Sequence, residues 1–176
     1  YIEDKKGNVI YSNKIAKDKV EEYIAWTKEV GIDYGLVGSH AAKLSRRTEM
    51  ISQAIDPIYP DLDVDPDFYQ KEDIYQMWTF EDQGDDLTLP ENLSSTLRLV
   101  RWHEHSSDVV PISGSKAAGV AKVVDQLGLK PENVMVFGDE LNDLELFDYA
   151  GICVAMGISH DILKEKADYV TKTLEE

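Results

Sequence analysis

From Lys116 to Thr171, short helical and extended patterns alternate without a break, and few folds accept that order. Val120, Val123, Val124 and Leu127 recur at helical spacing over Lys116–Leu127, and Gly128 supplies the stop. Asn133–Phe137 is a short apolar run of the buried-strand kind. The alternation continues as helix over Asn142–Tyr149, strand over Ile152–Ala155, helix over Asp161–Lys166 and strand over Tyr169–Thr171. Strands separated by single helices and short loops pair in parallel through right-handed crossovers. The segment therefore predicts a Rossmann-like parallel layer in an α/β protein. Ligands of such layers meet the carboxyl ends of the strands, which singles out the Gly138–Asp143 loop and the loop at Gly157.

The preceding residues follow another rhythm. Lys6-Gly7-Asn8 is turn chemistry between β-prone runs at Tyr1–Glu3 and Val9–Tyr11, so a hairpin is expected. Lys17–Val30 has one apolar helical face and stops at Gly31. A strand is expected over Tyr34–Val37, a helix over Arg46–Ile55, a loop over Asp61–Asp67 and a strand over Ile74–Phe80. Two further strands, Leu97–His103 and Val109–Ile112, would pair across Glu104–Asp108. This mixture predicts an α+β module. The composition changes between Pro111 and Ser115, so the expected division is 1–111 and 112–176.

Charge narrows the partners. The 176 residues carry a formal charge of -16, and Asp56–Asp86 holds eleven acidic residues against the single Lys71. Such a surface repels nucleic acid and anionic lipid. No apolar run approaches the roughly 20 residues of a membrane helix. The lone Cys153 excludes an internal disulfide and fits a reducing, cytoplasmic setting.

Gly138-Asp139-Glu140-Leu141-Asn142-Asp143 follows a strand directly. Hard oxygen ligands at a strand tip suit Mg²⁺, which takes one or two carboxylates and keeps water or phosphate oxygens. Taken alone, Asp139 reads more readily as a helix cap and Asp143 as a dipole-complementing acid. Lys116 opens a helix, where the dipole disfavours a cation but welcomes an anion beside it. A lone lysine there could simply extend into water; lysine and GDxxND at successive strand ends form a more specific pair.

With those residues in view, SGSKAAGV…LGLKPENVMVFGDELNDLELFDYAGICVAMG…LKEKADYVT resembles the C-terminal part of Cof-type phosphatases of the haloacid dehalogenase superfamily. Lys116, Gly138, Asp139, Asn142, Asp143, Ala155, Met156, Gly157, Lys164, Ala167 and Asp168 match position by position. The earlier residues look like that family's α/β cap, with YIEDKKGNVIYSNK as its first hairpin. The resemblance implies a HAD-like core segment plus cap, and hydrolysis of small phosphorylated metabolites through an aspartyl-phosphate. In that reading Lys116 is catalytic and, with Asn142, binds phosphate. Asp139 and Asp143 serve Mg²⁺, the first directly and the second in support.

Departures from the pattern carry expectations of their own. The family's nucleophile lies in an N-terminal DxD strand, and no Asp-x-Asp here has that setting. Ile158 stands where the family usually has Asn after AMG. The chain therefore reads as an inactive fragment, with Val134–Phe137 lacking a partner strand and prone to self-association. The alternative is a non-catalytic binding or regulatory module of the same fold; an acidic calcium-binding or docking protein ranks third. Asp61-x-Asp63-x-Asp65 with Glu72 approaches a calcium loop, but Pro66 occupies the glycine position. His103 and His105 would share a strand face as a two-point metal clamp without a third ligand. Trp78, Trp102 and Tyr75 are read as packing, and Arg46 and Arg47 as surface charges.

Overall fold

The computed structural model describes residues 1–82 and 87–172, so Asp85 and Asp86 of the acidic stretch lie outside the described residues. The chain divides into two compact units. One contains residue 1 and residues 13–113; the other contains residues 2–12 and the chain from 114 onward. In chain order the elements are β1 (Ile2–Glu3), β2 (Val9–Tyr11), α1 (Lys17–Val30), β3 (Asp33–Val37), β4 (Ala42–Leu44), α2 (Glu49–Ile55) and β5 (Gln76–Phe80). They continue with α3 (Glu91–Ser94), β6 (Leu97–His103), β7 (Ser106–Pro111), α4 (Lys116–Gln126), β8 (Met135–Gly138), α5 (Leu144–Tyr149), β9 (Ile152–Ala155), α6 (Asp161–Lys166) and β10 (Tyr169–Val170).

The N-terminal unit is a five-stranded antiparallel sheet in the order β4-β3-β5-β7-β6. Alternate residues of a strand face opposite ways, which gives this sheet two cores. Met77 packs with Leu36, Val109 and the Val20, Tyr23 and Ile24 face of α1. Its neighbours Trp78 and Phe80 pack with Leu44 and with Ile51, Ala54 and Ile55 of α2. The hydroxyl of Tyr23 is not wasted in the core: it donates to Trp78 O at 2.8 Å.

The second unit holds a three-stranded parallel sheet in the order β10-β9-β8. This is the parallel layer the alternating pattern predicts. Val136, Phe147, Cys153, Ala155 and Leu163 form its core. Strand β8 lies at the edge, with no neighbour on its outer side among the described residues, and Met135 and Phe137 are exposed.

The structure corrects several boundaries. The β1–β2 hairpin belongs to the second unit, not to the one that holds residues 13–113. Ile2 lies so close to α4 that a Cβ on Gly119 would stand 3.0 Å from its Cδ1. The helix expected from Arg46 starts at Glu49, because Thr48 Oγ1 accepts the Ile51 N–H at 3.3 Å and caps it there. Strand β7 starts at Ser106, three residues before the apolar run. Ser106 and Ser107 are buried in it because their hydroxyls reach Thr79 O and Glu81 Oε1. No helix among the described residues is long and apolar enough to cross a membrane.

Candidate active site

The site forms where β8 ends and α4 begins. Ser115 caps α4, its hydroxyl accepting the Ala118 N–H at 3.2 Å, which fixes Lys116 in the first turn. Beyond β8 the chain tightens into a helical turn at Leu141–Asp143 before α5. Gly138 permits this: a Cβ there would lie 2.8 Å from Asp143 Cβ and 2.9 Å from the Phe147 ring.

Asp143 is folded back into its own loop, with its side chain 5% exposed. Its Oδ2 accepts the backbone N–H of Asp139 at 3.1 Å and of Glu140 at 3.4 Å. Its Oδ1 takes the Lys116 ammonium at 2.6 Å, and the same ammonium lies 3.4 Å from Asn142 Oδ1. Burial works against the Asp143 charge, but the Lys116 hydrogen bond and the two N–H groups outweigh it and hold the carboxyl below its ordinary range.

A depressed acid stabilises the folded state above its unfolded value and loses that contribution as pH falls through the folded one. Asp143→Asn is expected to cost about 1–3 kcal/mol near pH 6. The gap to the unaltered protein should close below pH 4, starting from the ordinary 3.8. Thermal unfolding from pH 6 to strong acid checks this; a gap that persists in acid would remove the charge from the argument.

Asp139 points outward and is exposed; its carboxylate takes no hydrogen bond or ion pair among the described residues. Around it the neighbouring loop closes in. Met156 N–H donates to Gly138 O at 3.0 Å, and Gly157 N–H donates to Thr171 Oγ1 at 3.0 Å. Sequence reading missed one link here: His160 Nε2 lies 3.3 Å from Glu140 Oε2. Only the pairing of β8 with β9 brings those two residues together, so no local pattern announces it.

Some matched residues do structural work. Asp168 Oδ2 accepts the Cys153 N–H at 2.8 Å, and Lys164 faces Asp161 at 3.9 Å. Ile158 is exposed. Elsewhere, lysines hold the acidic loop: Asp63 pairs with Lys43 and Asp65 with Lys71. The rings of His103 and His105 lie 5.8 Å apart, and His103 Nδ1 accepts the His105 N–H. Among the described residues no group of three His, Cys, Asp or Glu could hold a metal ion.

The sequence pattern of the haloacid dehalogenase-like hydrolases matches residues 1–176. Over all 176 residues the chain is 58% identical to a Streptococcus pyogenes serotype M6 protein named as a bifunctional phosphatase/peptidyl-prolyl cis-trans isomerase, of which it spans 37%. It is 54% identical over 59 residues, 34% of this chain, to a Bacillus subtilis 5-amino-6-(5-phospho-D-ribitylamino)uracil phosphatase, of which the match covers 24%. A solved Geobacillus kaustophilus protein superposes with a TM-score of 0.84 at 31% identity, over 97% of this chain and 67% of its own.

Proposed function

Since the chain belongs to the haloacid dehalogenase-like hydrolases, we propose that it provides part of the active site of a Mg²⁺-dependent phosphatase for small phosphorylated metabolites. One observation carries the reading. A lysine ammonium is fixed at 2.6 Å by a buried carboxylate, next to an exposed aspartate at a strand tip. Phosphoryl transfer is mostly positioning and charge stabilisation, and these groups supply both.

Asp143 holds Lys116 where its charge can meet a phosphoryl group, and Asn142 offers that group a second polar contact. Asp139 is the residue that would hold Mg²⁺. One free carboxylate fits an ion that takes one or two and completes its shell with water and phosphate oxygens. Asp143, with both oxygens engaged, supports the loop that presents Asp139. When bound, Mg²⁺ supplies further positive charge to the phosphoryl oxygens.

The nucleophilic aspartate of the aspartyl-phosphate route is proposed to lie outside residues 1–176, since the relatives extend well beyond the match. The outer edge of β8 would then be the place where further chain, or a second copy, adds a strand. The acidic surface disfavours nucleic acid and membrane, and the single buried cysteine suits the cytoplasm.

The test is hydrolysis of p-nitrophenyl phosphate. The full-length protein is expected to turn it over only with Mg²⁺, and Asp139→Asn to lower that rate by about 10²-fold or more. Residues 1–176 alone are expected to be silent. Turnover by residues 1–176, abolished by Asp139→Ala, would place the nucleophile within them. A full-length protein inert toward every phosphomonoester would overturn the phosphatase reading.

A further inference from the structure

Asp108 puts a charge in an apolar place. It stands half-buried in the middle of β7, paired with Trp78 of β5 on one side and Val100 of β6 on the other. That face of the sheet carries Leu44, Trp78 and Phe80 under α2, with Trp102 of β6 packed against them. Burial pushes the Asp108 carboxyl up to about 6, against hydrogen bonds from the side chains of Gln76, Trp102 and Trp78. It is still ionised at neutral pH. All three donors are uncharged, and no ion pair with a Lys, Arg or His reaches it among the described residues. Hydrogen bonds satisfy the lone pairs of a carboxylate, but only a cation balances its charge.

Beside this carboxylate the surface opens into a cavity of about 170 Å³, lined by Ile58, Tyr59, Gln76, Trp78, Trp102 and Asp108. A void of about 150 Å³ takes up benzene, so there is room for one compact group. The walls are held in place. Trp78 lies over its cross-strand partner Gly35, where a Cβ would stand 2.4 Å from the indole. Tyr59 leans on Trp78 with ring centroids 5.8 Å apart at 31°, and its N–H donates to Ile55 O at 2.7 Å. Aromatic rings and one carboxylate thus border the same space.

This combination selects by charge and by hydration. An anion would be repelled by Asp108. A metal ion needs several hard or nitrogen ligands, and no group of three His, Cys, Asp or Glu gathers here among the described residues. A primary ammonium needs acceptors for three N–H groups, whereas Asp108 already serves Gln76, Trp102 and Trp78. A quaternary ammonium has no N–H to satisfy, and its methyl groups suit aromatic faces. We propose that this cavity binds the trimethylammonium head of a small free organic cation, with Tyr59, Trp78 and Trp102 as walls and Asp108 as counter-charge. The site lies wholly within the N-terminal unit and does not rest on the phosphatase reading.

The probe is choline, titrated into the full-length protein at constant ionic strength while NMR follows the indole N–H signals of Trp26, Trp78 and Trp102. The Trp78 and Trp102 signals are expected to shift saturably with a Kd of about 1–10 mM. Trp26 belongs to the core on the opposite face of the sheet, and its signal should stay still. The neutral isostere 3,3-dimethyl-1-butanol, with a tert-butyl group in place of the trimethylammonium, is expected to bind about 10-fold or more weakly. Asp108→Asn keeps the size of the side chain and is expected to weaken choline about 5-fold or more, leaving the alcohol unaffected. Should that variant fail to fold, the comparison of choline with the alcohol on the unaltered protein decides alone. Equal binding of the two overturns the proposal, as do signals unmoved at about 100 mM choline. Cosedimentation with phosphatidylcholine vesicles, reversed by choline, would overturn the free ion in favour of a lipid headgroup.

Discussion

Lys116→Ala is expected to lower phosphate-ester turnover of the full-length protein by about 10²–10³-fold, the equivalent of about 2.7–4 kcal/mol of transition-state stabilisation. The lysine is held at 2.6 Å by Asp143, whose side chain is 5% exposed, so the same change also leaves a buried carboxylate without its cation. That second effect should appear as a stability loss of about 1–3 kcal/mol. Lys116→Arg separates the two. A guanidinium keeps the charge beside Asp143 and should restore most of the stability. Its planar fork does not reproduce the compact ammonium, and turnover should stay low. If Arg restores both in full, the lysine acts only as a brace for Asp143. If Ala leaves turnover unchanged, Lys116 has no part in the chemistry.

Gly157→Ala is expected to destabilise the second unit by about 2–3 kcal/mol, among the larger effects of a single added methyl group. The added Cβ would lie 1.6 Å from Lys172 O and 2.8 Å from Thr171 O. Those are backbone atoms that follow β10, and they cannot swing aside as a side chain would. The chain there would have to retreat, and Gly157 N–H would lose Thr171 Oγ1. Thr171→Val serves as the reference, because it removes the hydrogen bond alone and should cost about 1 kcal/mol. Thermal unfolding of both variants checks the difference. An alanine no more costly than the valine would show that this segment yields freely.

Most of the parallel layer was legible in the sequence because β8, β9 and α4 declare themselves locally: short apolar strands, and a helix with one apolar face that stops at a glycine. Strand β4 was not legible. Ala42-Lys43-Leu44 has no strand pattern of its own and is ordered by pairing with Gly35–Val37. The start of β7 was hidden for a related reason. Ser106 and Ser107 look like loop residues until Thr79 and Glu81 give their hydroxyls partners. In the site, Lys116 and the Gly138–Asp143 loop stood out as residue types in a telling order. What the order could not reveal is which oxygen of Asp143 serves the lysine and which serves the loop. That depends on a turn so tight that only glycine fits at 138. The aromatic residues were read as packing, and for Trp78 that is half the answer. Its indole packs with Leu44, Ile55 and Phe80 and also lines a small cavity that includes Asp108.

The hairpin of residues 2–12 belongs with the chain from 114 onward, while residues 13–113 form the other unit. Apart from residue 1, the N-terminal unit is thus an uninterrupted stretch whose two ends lie together, Asn13 Nδ2 reaching Ser113 Oγ at 3.3 Å. Synthesis from the ribosome gives this arrangement a temporal order. The inner stretch has all its partners as soon as it emerges and can fold while translation continues. The hairpin, made before that stretch, must wait some hundred residues for the helix it packs against. Through that interval its strands are exposed to any neighbouring chain on the same message. The inner unit, by forming early and drawing Asn13 to Ser113, shortens the wait by bringing the two distant halves of the outer unit to one point.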